Sequence, residues 1–381
     1  MTESQAIPWH REGRAEFAVG TAFYRTQSQM GRDLALLAAA VYRQQHGELR
    51  VLDAMTGCGV RSLRYGLEAE ADWVWANEAN PDLQLLLIQN LARGLSPSTY
   101  RITGQDANEV FFRCYQQRDF YDLVDVDCFG SGAPYLSTAL WATRIGGLLY
   151  LTSTDTRTTG GHNPEHSVQV YGAYARPHPA GHEQGGRLLI GRLMQQAAAQ
   201  GLAIQPLFSF YNGHVHRVMV RLTNAEPWRG DQYGFLGYCH HCGHYQTLPW
   251  RQLGRAICPE ALPDKPMPLV VSGPLWLGPL HDRTFLTAMA HQAQKWEWPQ
   301  QQDLIALMQT EADLPPYYFT LPEMGRHGQM DIPKREALMR VLRDRGFRVS
   351  RTHFEPQAIK TDATMADCIA AARICSAESV G

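Results

Sequence analysis

The chain has 381 residues, 44% of them hydrophobic, with 35 Lys+Arg against 37 Asp+Glu and a net charge of −2. That balance excludes a chain that grips nucleic acid through bulk positive charge, and equally an acidic disordered one. No stretch approaches 18 uninterrupted apolar residues, Met1 to His10 carry no apolar signal segment, and the eight cysteines are scattered apart from Cys239 and Cys242, so a cytoplasmic protein without a membrane span or a disulfide framework is expected. Taken in chain order, Ala/Leu-rich 33–45 predicts a helix, Arg50–Asp53 a strand and 60–69 a helix. A strand over Trp73–Ala76 ends at Glu78, and Pro81 opens a helix over 82–93. Strands follow near Tyr100–Thr103, ending at Asp106, and over Tyr121–Val126, ending at Asp127. Helix 134–143, strand Leu148–Ser153, helix 185–200 and a closing strand pair near Ile204–Ser209 and His216–Leu222 complete the pattern. Strands alternating with helices at this pace predict an α/β fold with a mainly parallel, doubly wound sheet.

The length predicts two domains, with the boundary at the polar, turn-rich segment Pro227 to Gly234: 1–226 and 227–381. Composition then shifts to Cys, His, Trp and Pro. From Met324 to Lys360 nine Lys/Arg stand against four Asp/Glu. Within that stretch Asp331 to Lys334 start a helix whose apolar stripe is Ala337, Leu338, Val341 and Leu342, followed by strand Arg348–Arg351, a small winged-helix-like unit. The 35 cations are 31 Arg and only 4 Lys. Arg suits planar contacts to phosphates and bases, although a GC-rich genome produces the same bias.

Four acids sit at strand ends: Asp53, Glu78, Asp106 and Asp127. In an open α/β sheet ligands bind beyond the carboxyl ends of the strands. Asp53 opens the turn D-A-M-T-G-C-G (53–59), which is not G-x-G-x-x-G and so does not favour a dinucleotide pyrophosphate. Glu78 is placed to accept two ribose hydroxyls and Asp106 the exocyclic amine of an adenine. That set suits S-adenosylmethionine, an adenosine without phosphate and with a cationic sulfonium. An Asp at a strand end often only caps the next helix, but four in register are hard to explain so.

The fourth strand ends in L-V-D-V-D-C-F-G-S (123–131). An exocyclic amine on a base is a poor nucleophile because its lone pair is delocalised into the ring. Asp127 can accept its N–H and hold the lone pair toward a methyl donor, positioning with partial base action. Phe129 can stack on the base, and Gly130 lets the backbone come close. The plain alternative is a strand-to-helix turn with a core Phe.

The stretches F-Y-R-T-Q-S-Q-M-G-R-D (23–33), V-L-D-A-M-T-G-C-G-V-R-S-L-R-Y (51–65), A-N-E-A-N-P (76–81), G-Q-D-A-N (104–108) and D-V-D-C-F-G-S-G-A-P-Y-L (125–136) resemble the tRNA guanine-26 N2-dimethyltransferase family. So do G-P-L-W-L-G-P-L-H-D (273–282) and V-S-R-T-H-F-E-P-Q-A-I-K-T-D (349–362), so that the resemblance runs from about residue 20 to 362. It implies a class I, Rossmann-like methyltransferase domain, a smaller α/β C-terminal tRNA-binding domain, and one or two methyl transfers to the N2 amine of one guanine. It implies that Arg32, Arg61, Glu78, Asp106 and Ala107 contact S-adenosylmethionine, that Asp127 is the catalytic carboxylate, and that Phe23 and Phe129 sandwich the guanine. The family commonly has Asn-Pro where this chain has Arg25-Thr26, Asn at Gly31 and Pro at Cys128.

C-H-H-C (239–242) resembles half of a zinc site, but the downstream partner reads Cys258-Pro259-Glu260-Ala261 and lacks the fourth cysteine. Cys239, Cys242 and Cys258 either form a site completed by His240, His241 or His244, or are a zinc knuckle whose role packing has taken over. The target guanine must be flipped out of folded tRNA, at a cost that aromatic stacking can repay. With the chain near neutral overall, the grip on tRNA phosphates is expected locally, from Arg335, Arg340, Arg343 and Lys360. No protein partner is implied. A nicotinamide oxidoreductase would need the missing glycine loop. A non-catalytic RNA-binding relative would have lost Asp127 or Glu78. A methyltransferase for amines of DNA or another RNA shares the cofactor site, and only the C-terminal resemblance argues against it.

Overall fold

The computed structural model describes residues 8–224, 230–260 and 267–378. The expected boundary at 226/227, and position 261 in the cysteine segment, lie outside the described residues. The chain opens with an antiparallel hairpin, β1 (Trp9–Glu12) and β2 (Ala15–Ala18), that the sequence reading did not anticipate. Then follow α1 (Gln29–His46), β3 (Arg50–Asp53), α2 (Val60–Leu67), β4 (Trp73–Asn77), α3 (Gln84–Gly94), β5 (Tyr100–Thr103), α4 (Ala107–Gln117), β6 (Tyr121–Val126), α5 (Leu136–Ala142) and β7 (Thr143–Ser153). Helices α6 (Thr156–Thr159), α7 (Pro164–Tyr171) and α8 (Gly181–Ala199) lead to β8 (Ala203–Tyr211) and β9 (His216–Thr223).

Seven of these strands form one sheet in the order β5-β4-β3-β6-β7-β9-β8. Strands β3 to β7 run parallel, and β9 lies antiparallel between β7 and β8. Central β6 is buried along its whole length, as a strand covered by helices on both faces must be. Asn80 caps the turn before α3 by accepting the Asp82 amide at 3.0 Å, with Pro81 at the first position. The helix expected over 134–143 is shorter. A tight turn at Ala133–Tyr135 precedes α5, and β7 starts at Thr143, five residues before the expected strand. Its register against β6 shifts between Tyr121 and Leu123, where Gly146-Gly147 break the ladder.

The C-terminal half holds β10 (Tyr233–Tyr238), β11 (Tyr245–Leu248) and β12 (Val270–Trp276) in one sheet, helices α9 (Arg283–Lys295) and α10 (Pro299–Glu311), and a second small sheet. That second sheet orders β13 (Phe319–Thr320), β15 (Ala358–Thr361) and β14 (Val349–Arg351), flanked by α11 (Leu321–Gly328), α12 (Arg335–Asp344) and α13 (Met365–Glu378). The helix expected from Asp331 starts at Arg335 and buries Leu338, Val341 and Leu342 as its stripe. The hydrophobic core is continuous across the two halves. Leu188, Leu189 and Leu193 of α8 share one cluster with Leu275 and Trp276 of β12, and α1 packs with Phe285, Leu286 and Met289 of α9. Among the described residues no helix is long and apolar enough to cross a membrane.

Candidate active site

The parallel strands deliver their last residues to one edge of the sheet, and a cavity of about 780 Å³ opens there. It is lined by the turn after β3, by Glu78 after β4, Asp106 and Ala107 after β5, and Asp127 to Phe129 after β6. Phe23, Arg32, Arg61 and Arg217 complete the wall that matters here. Eight of the nine residues expected at the cofactor and reaction centre therefore come together around one space.

Asp53, expected at the cofactor, is the exception: it does not line the cavity. The last side chain of β3 turns under the floor of the cavity instead of into it. It is fully buried and accepts the Ser62 hydroxyl at 2.7 Å. Burial, reinforced by the neighbouring Asp125 charge, pushes its carboxyl up to about 7.

Asp127 sits among guanidiniums. Arg61 Nη2 lies 2.6 Å from Asp127 Oδ2, and Arg217 Nη2 is 4.0 Å from Oδ1. Burial alone would raise the Asp127 carboxyl, but Arg61 and Arg217 outweigh it and hold it at about 2. The group is therefore an ionised acceptor at any working pH. Arg61 is itself fixed from behind: its Nη1 donates to Asp125 at 2.9 Å, and the Tyr65 hydroxyl donates to the same carboxylate oxygen at 2.7 Å. Sequence reasoning missed Asp125, although D-V-D contains the signal. Positions two apart on a strand share a face, so Asp125 and Asp127 both reach one Arg.

The loop after β6 is tied to the end of β7. The Gly130 amide donates to the Thr154 hydroxyl, and the Thr154 amide donates to the Gly130 carbonyl, each at 2.8 Å. Gly130 adopts φ +78°, a left-handed conformation that leaves the preceding Phe129 88% exposed. Phe23 is 70% exposed, with the Arg25 guanidinium 4.9 Å above its ring centre. Two exposed aromatic rings on the wall of one cavity, Phe23 with one face under Arg25, offer flat faces to a flat ligand. Cys128, between Asp127 and Phe129, is buried with its thiol 3.3 Å from the Thr152 carbonyl.

On the cofactor side, Glu78 accepts the Gly57 amide through Oε2 and the Asn80 amide through Oε1, each at 2.8 Å. It braces the glycine-rich turn while facing the cavity. Asp106 caps α4 by accepting the Asn108 amide at 2.8 Å. Both the cap role and the cavity position hold for this residue. Arg32 is clasped by both carboxylate oxygens of Glu12, from the unanticipated hairpin, with its Nε at 2.7 Å. Glu12 also takes Arg64 at 2.7 Å. Burial raises the Glu12 carboxyl, but Arg32 and Arg64 together leave it below the usual range.

The family model of N2,N2-dimethylguanosine tRNA methyltransferases matches residues 12–373. The chain belongs to that family. A tRNA (guanine(26)-N(2))-dimethyltransferase from Aeropyrum pernix is 29% identical over 375 residues, covering 94% of this chain and 91% of the relative. One from Thermococcus kodakarensis is 30% identical, covering 90% of each. The structure of Trm1 from Pyrococcus horikoshii with S-adenosyl-L-methionine superposes with a TM-score of 0.81 at 25% identity, over 96% of this chain and 99% of that one. S-adenosylmethionine is the cofactor of this methyltransferase family, and Glu78 and Asp106 beside the small-residue turn fit its adenosine.

Two other expectations for this family member meet the structure differently. Lys360, expected on the RNA-facing surface, is buried, with Nζ 2.6 Å from Glu183 Oε1. Glu183 also holds Arg187 at 2.7 Å. β15 is the middle strand of its small sheet, so its side chains face packed elements rather than solvent. Arg340 and Arg343 are exposed on α12, whereas Arg335 is half-buried and lies 3.2 Å from Glu336. Cys239, Cys242 and Cys258 do converge: their sulfurs lie within 4.8 Å of one another, Cys242 and Cys258 at 3.4 Å. The set supplies three thiols, and among the described residues none of the neighbouring histidines joins it. A structural zinc takes four ligands, so this set falls one protein donor short.

Proposed function

We propose the following division of labour in an enzyme that transfers methyl groups from S-adenosylmethionine to the N2 amine of guanine 26 in tRNA. The observation that carries it is Asp127, held ionised by two arginines, on a cavity wall that also bears the exposed rings of Phe23 and Phe129. Arg32, Arg61, Glu78, Asp106 and Ala107 hold the cofactor, which when bound supplies an electrophilic methyl group on a sulfonium. Phe23 and Phe129 take the flipped guanine between them. Stacking is worth about 1–3 kcal/mol per base, comparable to the cost of extrusion.

Asp127 then accepts an N2–H. With a pKa of about 2 it is too weak a base to strip the neutral amine, so it works by orientation and charge. Its negative charge stabilises the positive charge that builds on N2 as the nitrogen lone pair forms the new N–C bond and the S–C bond breaks. The methylated, protonated amine is strongly acidic, so its proton passes to the Asp127 carboxylate and on to water without a strong base. The same arrangement serves a second transfer once the first methyl is accommodated. Arg340 and Arg343, exposed on α12 with Arg335 beside them, hold tRNA phosphates.

The test is incubation of the protein with unmodified tRNA and S-adenosylmethionine, followed by nucleoside mass spectrometry. Dimethylguanosine from the wild type and none from Asp127→Ala is the expected result. Methylated guanosine from the variant at the wild-type rate would remove Asp127 from the reaction centre.

A further inference from the structure

We propose that Arg217 is a specificity-determining residue that reads the O6 oxygen of the target guanine. The proposal rests on the reading of this cavity as the seat of the flipped base. Arg217 is the second residue of β9 and pairs with Thr152 of β7. Because β9 runs antiparallel to β7, its beginning lies at the edge where the parallel strands end, and this brings Arg217 beside Asp127 although 90 positions separate them. The side chain is buried and lines the cavity.

Its donors are unspent. Glu12 takes Nε and Nη2 of Arg32, and Arg61 lies against Asp125 and Asp127 at 2.9 and 2.6 Å. Among the described residues Arg217 has one ion pair, the 4.0 Å approach to Asp127, and no hydrogen-bond partner for its buried Nε and Nη1. A buried guanidinium with unmade hydrogen bonds is costly to keep. The fold leaves room for it: a Cβ at position 31 would lie 2.7 Å from Arg217 Cδ and Nε and 2.8 Å from Cζ. Gly31 of α1 is thus the floor on which the Arg217 stem rests, and any side chain there would displace it.

The chemistry matches one base. Guanine presents N–H donors at N1 and N2 and an acceptor at O6 along a single edge. Adenine has no N2 amine and places an amine donor at position 6. A carboxylate acceptor beside a guanidinium donor is complementary to guanine, and Arg to O6 is a common specific contact. With adenine the same guanidinium would face an amine, leaving two buried donors opposed.

The test uses tRNA carrying guanine or 2-aminopurine at position 26. The analogue keeps the N2 amine but lacks O6 and, with it, the N1–H, so each variant is compared with the wild type on the same base. Single-turnover methyl transfer is measured for the wild type, Arg217→Met and Gly31→Ala, with S-adenosylmethionine affinity followed by calorimetry. Arg217→Met is expected to lose rate on both bases through the weakened Asp127 charge, but about tenfold more on guanine than on 2-aminopurine. Gly31→Ala, which keeps the arginine but moves it, shifts the same ratio in the same direction. Equal losses on both bases would mean that Arg217 acts only through the charge of Asp127 and would overturn the proposal. A fall in S-adenosylmethionine affinity with the base ratio unchanged would assign Arg217 to the cofactor and overturn it as well. Absence of methylated guanosine from the wild type would instead strike down the reading of the cavity on which the proposal rests.

Discussion

Arg61 joins Asp125 to Asp127: one guanidinium nitrogen lies 2.9 Å from the buried carboxylate at β6 position 125, the other 2.6 Å from the carboxylate that faces the cavity. A reacting group on a strand end is thereby fixed by a residue two positions back on the same strand. The carboxylate stays charged and cannot rotate freely, which is the preorganisation that charge stabilisation in a transition state requires.

Asp127→Asn keeps the size of the side chain and removes the charge. The transfer rate is expected to fall by about a hundredfold to ten-thousandfold, with S-adenosylmethionine affinity nearly unchanged. Since the carboxyl titrates near 2, the wild-type rate should show no acidic limb from this residue between pH 5 and 8. A rate that follows a single ionisation near pH 6 would assign the proton step to another group.

Asp53 makes an opposite prediction about stability. Its carboxyl is ordinary in the unfolded chain, near 3.8, and is pushed up to about 7 in the fold by burial and by Asp125. Below about pH 4 both states are protonated. Between 4 and 7 only the unfolded state ionises, so this contribution to stability is lost as pH rises through that window, by a few kcal/mol. Asp53→Asn should therefore gain on the wild type in urea midpoint as pH goes from 4.5 to 7.5. A difference that stays flat with pH would contradict the assignment.

Lys360 and the α12 arginines separate structure from binding. Lys360→Met leaves Glu183 with Arg187 alone in a buried site and is expected to cost about 3 kcal/mol in unfolding free energy, with tRNA affinity of the folded protein unchanged. Replacing Arg340 and Arg343 together should do the reverse. Stability is kept, tRNA affinity drops, and the slope of log affinity against log salt falls by about one to two. Lost tRNA affinity in Lys360→Met at full stability would restore Lys360 to the RNA surface.

Gly130 links backbone to reaction. Nothing lies within 4 Å of a Cβ placed there, so Gly130→Ala meets no clash and pays only for its φ of +78°. A penalty of about 1 kcal/mol in stability is expected, with a larger relative loss in transfer rate as the neighbouring Asp127 and Phe129 shift. Unchanged turnover would show that the loop tolerates another conformation.

The local sequence was sufficient for the parallel half of the sheet and for most of the cavity wall. Buried apolar strands, Pro81 and the acids after β4, β5 and β6 are local signals, and residues within a few positions of a strand end must lie at the carboxyl edge of a parallel sheet. The family motifs added Phe23 and Arg32, whose places no periodicity could supply. What was not legible came from pairings between distant segments. Glu12 grips Arg32 across 20 positions, and Glu183 takes Lys360 across 177, which turned an expected surface cation into a buried one.

Composition and motif order determined what kind of protein this is: a near-neutral α/β chain with acids at its strand ends, no dinucleotide-binding glycine loop and an Asp-x-Phe-Gly strand end. Only the tertiary structure decided which charges meet. It turned Asp53 beneath the floor and set Asp125 behind Arg61. By laying β9 antiparallel between β7 and β8, it brought Arg217 to Asp127. The physical reason is that a side chain's burial and charge partners depend on what packs against it, and strands and helices distant in sequence supply those neighbours.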